Sequence, residues 1–167
     1  MIYKRPRLSQ KIISSPLGEV TLVASDDALT HVYVHKRHDS SETYNAADKH
    51  PILELAAQEL DLYFRGAVKI FATPLAFDGT HFQQAVWRAL VDIPWGMCVS
   101  YSDIAKEIGS PRAMRAVGSA NAKNHLPLFI PCHRVIASNG NISDYALGVS
   151  TKRWLLEHEG SFIHGVC

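Results

Sequence analysis

Alternation of apolar and polar residues marks three short segments near the start of the chain. These segments span residues 11–14, 20–24 and 29–34, and they are separated by Pro, Gly and Asp residues. Alternation with a period of two between turn-forming residues is typical of β-strands. The pattern predicts an antiparallel meander, followed by a polar loop over residues 35–50.

Helical periodicity replaces this alternation after Pro51. The apolar residues on one face of the predicted helix are Ile52, Leu55, Ala56, Leu60 and Tyr63, and the pattern ends at Gly66. An apolar segment at residues 69–75 predicts one more strand. We therefore expect an N-terminal domain, residues 1–79, that consists of a small antiparallel sheet with one helix. Its sequence shows no candidate chemistry.

A second predicted domain, residues 80–167, begins with a helix start signal. Thr80 and Gln83 have the spacing of a capping box, in which each side chain bonds the backbone N–H of the other residue. The apolar stripe that follows consists of Phe82, Val86, Ala89, Leu90 and Ile93, and it ends at Pro94-Trp95-Gly96. We expect this domain to be mostly helical, so the fold class predicted for the chain is α/β in the α+β sense.

Two short helices are predicted next, over residues 102–108 and 111–122. Gly109 ends the first, while Ser110 caps the second and Pro111 suits its first turn. This is the helix-turn-helix pattern, which alone is weak evidence for DNA binding because many such pairs bind nothing. At 100° per residue, one face of the second helix combines two arginines with small residues, namely Arg112, Arg115, Ala116 and Ser119.

A cysteine and a histidine are adjacent in the segment Pro131-Cys132-His133-Arg134-Val135. The apolar residues 126–130 before it predict a short buried strand that delivers Cys132 to a fixed point. A cysteine attacks as the thiolate, and His133 could supply the base or the cation that favours this form. The alternative is that Cys132 is a buried small hydrophobe, the usual state of a free cysteine.

Composition limits the other possibilities. A chain of 167 residues with 47% hydrophobic residues can bury a core as one domain or two small ones. No apolar stretch approaches the ~20 residues that span a bilayer, so we expect no membrane association. The cysteines are odd in number (Cys98, Cys132 and Cys167), which argues against a disulfide framework and predicts a reducing, cytoplasmic location. The nine histidines lack zinc-ligand spacing, so neither a metal nor a cofactor is expected.

The charge balance bears on nucleic-acid binding. The net charge is +1 overall, with −1 in residues 1–80 and +2 in residues 81–167. A protein that contacts many phosphates would be far more basic. Any DNA footprint should therefore be small.

Residues 80–160 also carry a family resemblance. The stretches that carry it are residues 101–109, 110–118, Asn121-Ala122-Lys123-Asn124, the cysteine segment, and Tyr145, Gly148, Lys152 and residues 155–160. Together they resemble the O6-alkylguanine-DNA alkyltransferases, repair proteins that move an alkyl group from guanine O6 onto their own cysteine. The resemblance is specific over about half of the chain. Over residues 1–80 it is architectural and implies a ribonuclease-H-like domain.

The resemblance implies stoichiometric, irreversible transfer of methyl or other alkyl groups to Cys132 from O6 of guanine, and from O4 of thymine. It implies a monomer without cofactor, bound to double-stranded DNA through the minor groove. His133, oriented by Glu159 and linked to the thiol by a water, would be the base. Asn124 would be the hinge before the cysteine segment, and Tyr145 would donate a hydrogen bond to the extruded base.

The same resemblance assigns the remaining contacts. Arg115 would occupy the space that the extruded nucleotide leaves, and Tyr101 would crowd the neighbouring phosphate. The other implied DNA contacts are Arg112, Ala113, Ala116 and Ser119. The implied substrate pocket consists of Val135, Trp95, Ala146, Leu147 and Lys152.

Three residues depart from the family pattern. His125 replaces the proline that follows the hinge asparagine, which predicts a looser turn. Leu147 replaces a glycine at the rim of the alkyl pocket, and Asp144 adds negative charge close to where phosphates must approach. Two other functions stay open: a cysteine hydrolase using Cys132 and His133, and a DNA-lesion sensor that does not react, although such sensors lack the reactive cysteine.

Overall fold

A four-stranded sheet organises the first of the two units into which the chain divides, Met1–Ala76 and Phe77–Cys167. This computed structural model describes residues 7–35, 45–46, 49–142 and 144–161. Its first strands are β1 (Ser9–Ser15), β2 (Gly18–Ala24) and β3 (Leu29–Val34), paired antiparallel as the alternation predicts. A short strand, β4 (Asn45–Ala46), pairs parallel with β1 inside the segment predicted to be a loop. The strand order is β3-β2-β1-β4.

Helix α1 (Pro51–Phe64) packs against this sheet and supports the segment that follows it. The predicted strand at residues 69–75 is wrong, because a buried carboxylate takes up its backbone donors. Glu59 accepts hydrogen bonds from the backbone N–H groups of Ala72 at 2.6 Å and Thr73 at 3.0 Å. It also accepts one from Thr73 Oγ1 at 2.6 Å. Within residues 69–75, Leu75 alone pairs as a strand residue would, in an isolated bridge with Leu29.

The second unit is mostly helical, as predicted. Its elements are α2 (His81–Val91), β5 (Val99–Ser100), α3 (Tyr101–Glu107), α4 (Met114–Ala122), a 3-10 turn (Cys132–Arg134), β6 (Val135–Ile136) and α5 (Val149–His158). The capping box of Thr80 and Gln83 begins α2 as predicted. An unpredicted capping box of Ser100 and Asp103 begins α3. Strands β5 and β6 pair parallel and join α3 to the cysteine segment.

The second helix of the helix-turn-helix begins later than predicted. Ser110 does not cap it and Pro111 is not in its first turn, because Ser110 to Ala113 form a turn of their own. This turn is closed by the Ala113 N–H, which donates to the Ser110 carbonyl at 2.8 Å. Helix α4 starts at Met114 without a side-chain cap. Arg112 therefore lies in the turn before α4, and not on the helical face assigned to it.

The apolar residues before Cys132 are buried, as predicted, but they form a turn and not a strand. The Ile130 N–H donates to the Leu126 carbonyl at 2.8 Å, and Leu128 has a left-handed φ of 77°. A leucine in this conformation cannot continue an extended chain. Cys98 is disulfide-bonded, contrary to the expectation from the cysteine count. Within the described residues, no helix is long and apolar enough to cross a membrane.

Candidate active site

The buried thiol of Cys132 is held by side chains from two directions. The Asn124 amide Nδ2 lies 3.1 Å from Cys132 Sγ and also donates to the Ile130 carbonyl at 2.9 Å. Its Oδ1 accepts from the Leu126 N–H at 2.9 Å. The hydroxyl of Tyr145 lies 4.0 Å from the sulfur. Asn124 thus ties both ends of the buried turn together and fixes where the thiol points.

His133 is completely buried beside the thiol and is paired on one side. Its Nε2 lies 2.7 Å from Oε1 of Glu159, which follows α5 as its C-terminal cap. Its Nδ1 is buried and has no hydrogen-bond partner among the described residues. When Glu159 is ionised, the hydrogen bond places the proton of a neutral imidazole on Nε2. Nδ1 is then the nitrogen with a lone pair.

Arg134 completes this arrangement and was not predicted to take part. Its Nε and Nη2 donate to the two oxygens of Glu159 at 2.8 and 3.0 Å, and its Nη1 donates to the Ile93 carbonyl at 2.5 Å. Such a forked pair fixes a carboxylate in both position and orientation. The sequence signal was the arginine itself, within the cysteine segment, but its partner lies 25 residues away.

Burial and these pairings set the protonation states at the site. Burial raises the pKa of the Cys132 thiol, although the Asn124 amide, the Tyr145 hydroxyl and Lys152 oppose this shift. Burial lowers the pKa of His133, although the hydrogen bond and the negative charge of Glu159 act to raise it. Burial alone would raise the pKa of Glu159, but its contacts with His133 and Arg134 hold it well below the usual range. The resting site therefore contains a protonated thiol, a neutral imidazole and a carboxylate paired with Arg134.

A cavity of about 460 Å³ shares lining residues with the surroundings of Cys132. Its lining residues are Tyr101, Gly118, Asn121, Ala122, Asp144, Tyr145 and Ala146. Two of them also contact Cys132, since Tyr145 approaches its sulfur and Asn121 Nδ2 lies 3.4 Å from its carbonyl oxygen. A pocket of this size suits a small planar molecule. Asn121 was named in the sequence only as part of a motif, and its place in the cavity follows from the folding of α4.

Comparison with known proteins gives the same picture for both units. The model described as "6-O-methylguanine DNA methyltransferase, DNA binding domain" matches residues 81–161. The corresponding ribonuclease-like domain matches residues 8–77. The chain belongs to the 6-O-methylguanine DNA methyltransferase family.

Relatives named as methylated-DNA–protein-cysteine methyltransferases match most of the chain. A methylated-DNA–protein-cysteine methyltransferase of Methanosarcina acetivorans is 40% identical over 151 residues, which are 90% of this chain and 97% of the relative. A constitutive one from Bacillus subtilis is 45% identical over 136 residues, 79% and 82% of the two chains. The crystal structure of Mycobacterium tuberculosis OGT in complex with DNA matches with a TM-score of 0.85 and 38% identity, covering 92% of this chain and 93% of that one.

Only one of the residues predicted to form the substrate pocket lines the cavity. Ala146 lines the cavity, whereas Val135, Trp95, Leu147 and Lys152 are not among its lining residues. Lys152 is completely buried, and its Nζ donates to the Val135 carbonyl at 2.5 Å and lies 5.8 Å from the Tyr145 ring centre. Trp95 packs edge-on against His158 at 5.3 Å. Lys152 thus lies between the Val135 carbonyl and the ring of Tyr145.

The predicted DNA-contacting residues lie along α4 and the turn before it. Arg112, Arg115, Ala116 and Ser119 are exposed, and Ala113 is half-buried. Elsewhere on α4, Val117 and Asn121 are buried, whereas Met114 is 47% exposed. Tyr101, at the start of α3, packs its ring beside Gly118 and lines the cavity. A surface with two arginines therefore leads into the cavity through Tyr101.

Proposed function

We propose that this protein repairs alkylated DNA by direct reversal, as a methylated-DNA–protein-cysteine methyltransferase with Cys132 as the acceptor. The proposed substrates are O6-alkylguanine and O4-alkylthymine in double-stranded DNA. The observation that carries the proposal is a buried cysteine approached by Asn124 and Tyr145, of which Tyr145 also lines a base-sized cavity. The protein would act as a monomer and without a cofactor. We also propose a cytoplasmic location, on the grounds of the DNA substrate and not of the cysteine count.

The transfer is an in-line displacement at the alkyl carbon. The proton of the Cys132 thiol passes through a water to Nδ1 of His133, whose Nε2 is held by Glu159. The sulfur forms a bond to the alkyl carbon, the bond from carbon to O6 breaks, and its electron pair remains on the guanine oxygen. Tyr145 donates a hydrogen bond to the leaving base as this charge develops. The guanine anion then takes up one proton at N1 and the imidazolium of His133 gives up one, so the protons balance and no further reactant is needed.

The raised pKa of the thiol and the stability of the thioether product both suit a protein that reacts once. A thiol that stays protonated at rest is protected from other electrophiles, and it becomes a nucleophile when a positioned base removes its proton. The thioether product is a poor leaving group, and no group of the described site could displace it. We therefore expect one transfer per molecule.

DNA would be bound through the exposed face of α4 and the preceding turn. Arg115 is proposed to fill the space of the extruded nucleotide, with Tyr101 against the adjacent phosphate. The small side chains of Ala116 and Ser119 allow the backbone of α4 to approach the minor groove closely, where readout of bases is degenerate. Degenerate readout suits a protein that must find lesions in any sequence.

The test is a repair assay with limiting protein. A duplex with one O6-methylguanine is incubated with known amounts of protein, and the guanine restored is measured after hydrolysis of the DNA. The expected result is a plateau at one guanine per protein molecule, and no repair by Cys132→Ser, which should still bind the duplex because other residues contact DNA. Repair that continues beyond one equivalent, or equal repair by Cys132→Ser, would contradict the proposal.

A further inference from the structure

The cavity that Tyr145 lines carries a negative charge of its own. Of the seven residues that line it in the described part of the chain, Asp144 is the one with a charged side chain. Arg112, Arg115 and the buried Lys152 are not among the lining residues. Among the described residues, the charge on the wall of the cavity is therefore that of a carboxylate.

The charge of Asp144 acts on the groups around the thiol. The pKa of Tyr101 is raised, first by burial and then by the charges of Asp144 and Cys132. Burial lowers the pKa of Lys152, and the charges of Cys132 and Asp144 oppose this shift. Tyr101 lines the cavity and the Lys152 Nζ lies 5.8 Å from the ring centre of Tyr145, so the charge of Asp144 acts on groups both at the cavity wall and behind it.

The backbone holds Asp144 in place. Its φ is 43°, in the left-handed region that aspartate and asparagine tolerate far better than most residues. The ring of the next residue, Tyr145, has the Lys152 Nζ 5.8 Å from its centre. Asp144 thus directly precedes the residue whose hydroxyl lies 4.0 Å from Cys132 Sγ.

We infer that Asp144 selects among alkyl adducts by charge, favouring neutral and cationic groups and disfavouring anionic ones. The inference rests on the proposed function, since it concerns the substrate class of the same cavity. An O6-carboxymethyl group would bring a second carboxylate towards Asp144, whereas an O6-(2-aminoethyl) group of similar size would bring an ammonium. Because Asp144 is exposed, water screens both interactions, and we expect changes of about threefold to tenfold in rate.

The experiment compares three duplexes of one sequence, carrying O6-methyl-, O6-carboxymethyl- or O6-(2-aminoethyl)guanine. Second-order rate constants of transfer are measured for the wild type and Asp144→Asn, and each is divided by the rate for the methyl group. This division cancels any general effect on DNA affinity. Asparagine keeps the shape and tolerates the left-handed backbone, so the substitution removes the charge alone. The matched control is Glu157→Gln, an exposed carboxylate on α5 that does not line the cavity.

In Asp144→Asn, the carboxymethyl-to-methyl ratio should rise about threefold to tenfold and the aminoethyl-to-methyl ratio should fall by a similar factor. Both changes should shrink at about 1 M salt, where the screening length is about 3 Å. Glu157→Gln should leave both ratios as in the wild type. If methyl is transferred but Asp144→Asn leaves the ratios unchanged, or Glu157→Gln changes them equally, the charge selection is wrong while the proposed function stands. If the wild type transfers no methyl, both fail.

Discussion

Replacing Arg134 by glutamine tests the buried network behind Cys132. Arg134→Gln removes two hydrogen bonds to Glu159 and one to the Ile93 carbonyl, at 2.8, 3.0 and 2.5 Å. The carboxylate of Glu159 has no exposed surface in its side chain, so water cannot replace the lost donors. Removing one partner of a buried ion pair typically costs about 3–5 kcal/mol of stability. We expect a loss of this size, against a total of about 5–15 kcal/mol for a typical protein.

Chemical denaturation followed by tryptophan fluorescence measures this loss. The matched control is Arg153→Gln, an exposed arginine on α5, which should change stability by less than about 0.5 kcal/mol. The double variant Arg134→Gln/Glu159→Gln removes the uncompensated charge, so it should be less destabilised than the sum of the single variants. Equal losses for Arg134→Gln and Arg153→Gln, or strict additivity in the double variant, would refute the reasoning.

The same variant should change the pH dependence of transfer. Without Arg134, the negative charge of Glu159 acts on His133 alone and raises the pKa of the imidazole. A protonated His133 cannot accept the proton of Cys132, so the fall in rate towards acid should begin at a higher pH than in the wild type. A purely structural role for Arg134 would lower the rate without moving this limb of the profile. Rate constants measured across the neutral pH range at single turnover distinguish the two.

Three further predictions concern the hinge, acid stability and base extrusion. Asn124→Ala should cost about 1–3 kcal/mol, because it leaves the Leu126 N–H without its partner and removes one of the two donors to the Ile130 carbonyl, and it should slow transfer; denaturation and single-turnover rates check both. The pKa values of buried His133 and Glu159 are both lowered on folding, so the unfolded chain binds more protons in acid. The free energy of unfolding should therefore fall from about pH 6.5 downwards and further below about pH 4.3, and His133→Gln should remove the upper part of this fall. Arg115→Ala should slow repair of duplex DNA far more than repair of an alkylated single strand, since its proposed role is to stabilise the extruded state. Equal losses on both substrates would contradict that role.

Local sequence patterns were sufficient to predict the first three strands and the first four helices of the described fold. The alternation that predicted β1, β2 and β3 and the cap at Thr80 depend on neighbours within a few residues, and the structure confirms them. The strand predicted at residues 69–75 failed because Glu59, 13 residues before Ala72, binds the backbone there. No pattern within the segment could show that partner.

The site divides in the same way. The residue types at Cys132 and His133 indicate their chemistry, and the family resemblance adds Glu159, Asn124 and Tyr145. The contact of Arg134 with Ile93 spans 41 residues, and it exists only because the 3-10 turn packs between distant parts of the second unit. The left-handed Leu128 replaced the predicted strand before Cys132, and a leucine gives no local signal for that conformation.

The identity of the alkyl acceptor is the central claim, and peptide mass mapping tests it most directly. The protein is incubated with an excess of duplex containing O6-methylguanine, digested, and each cysteine-containing peptide is weighed and fragmented. The account predicts one added methyl group, on Cys132, and none on the peptides of Cys98 or Cys167. A methyl group on either of those cysteines, or an unmodified Cys132 after guanine has been restored, would contradict it.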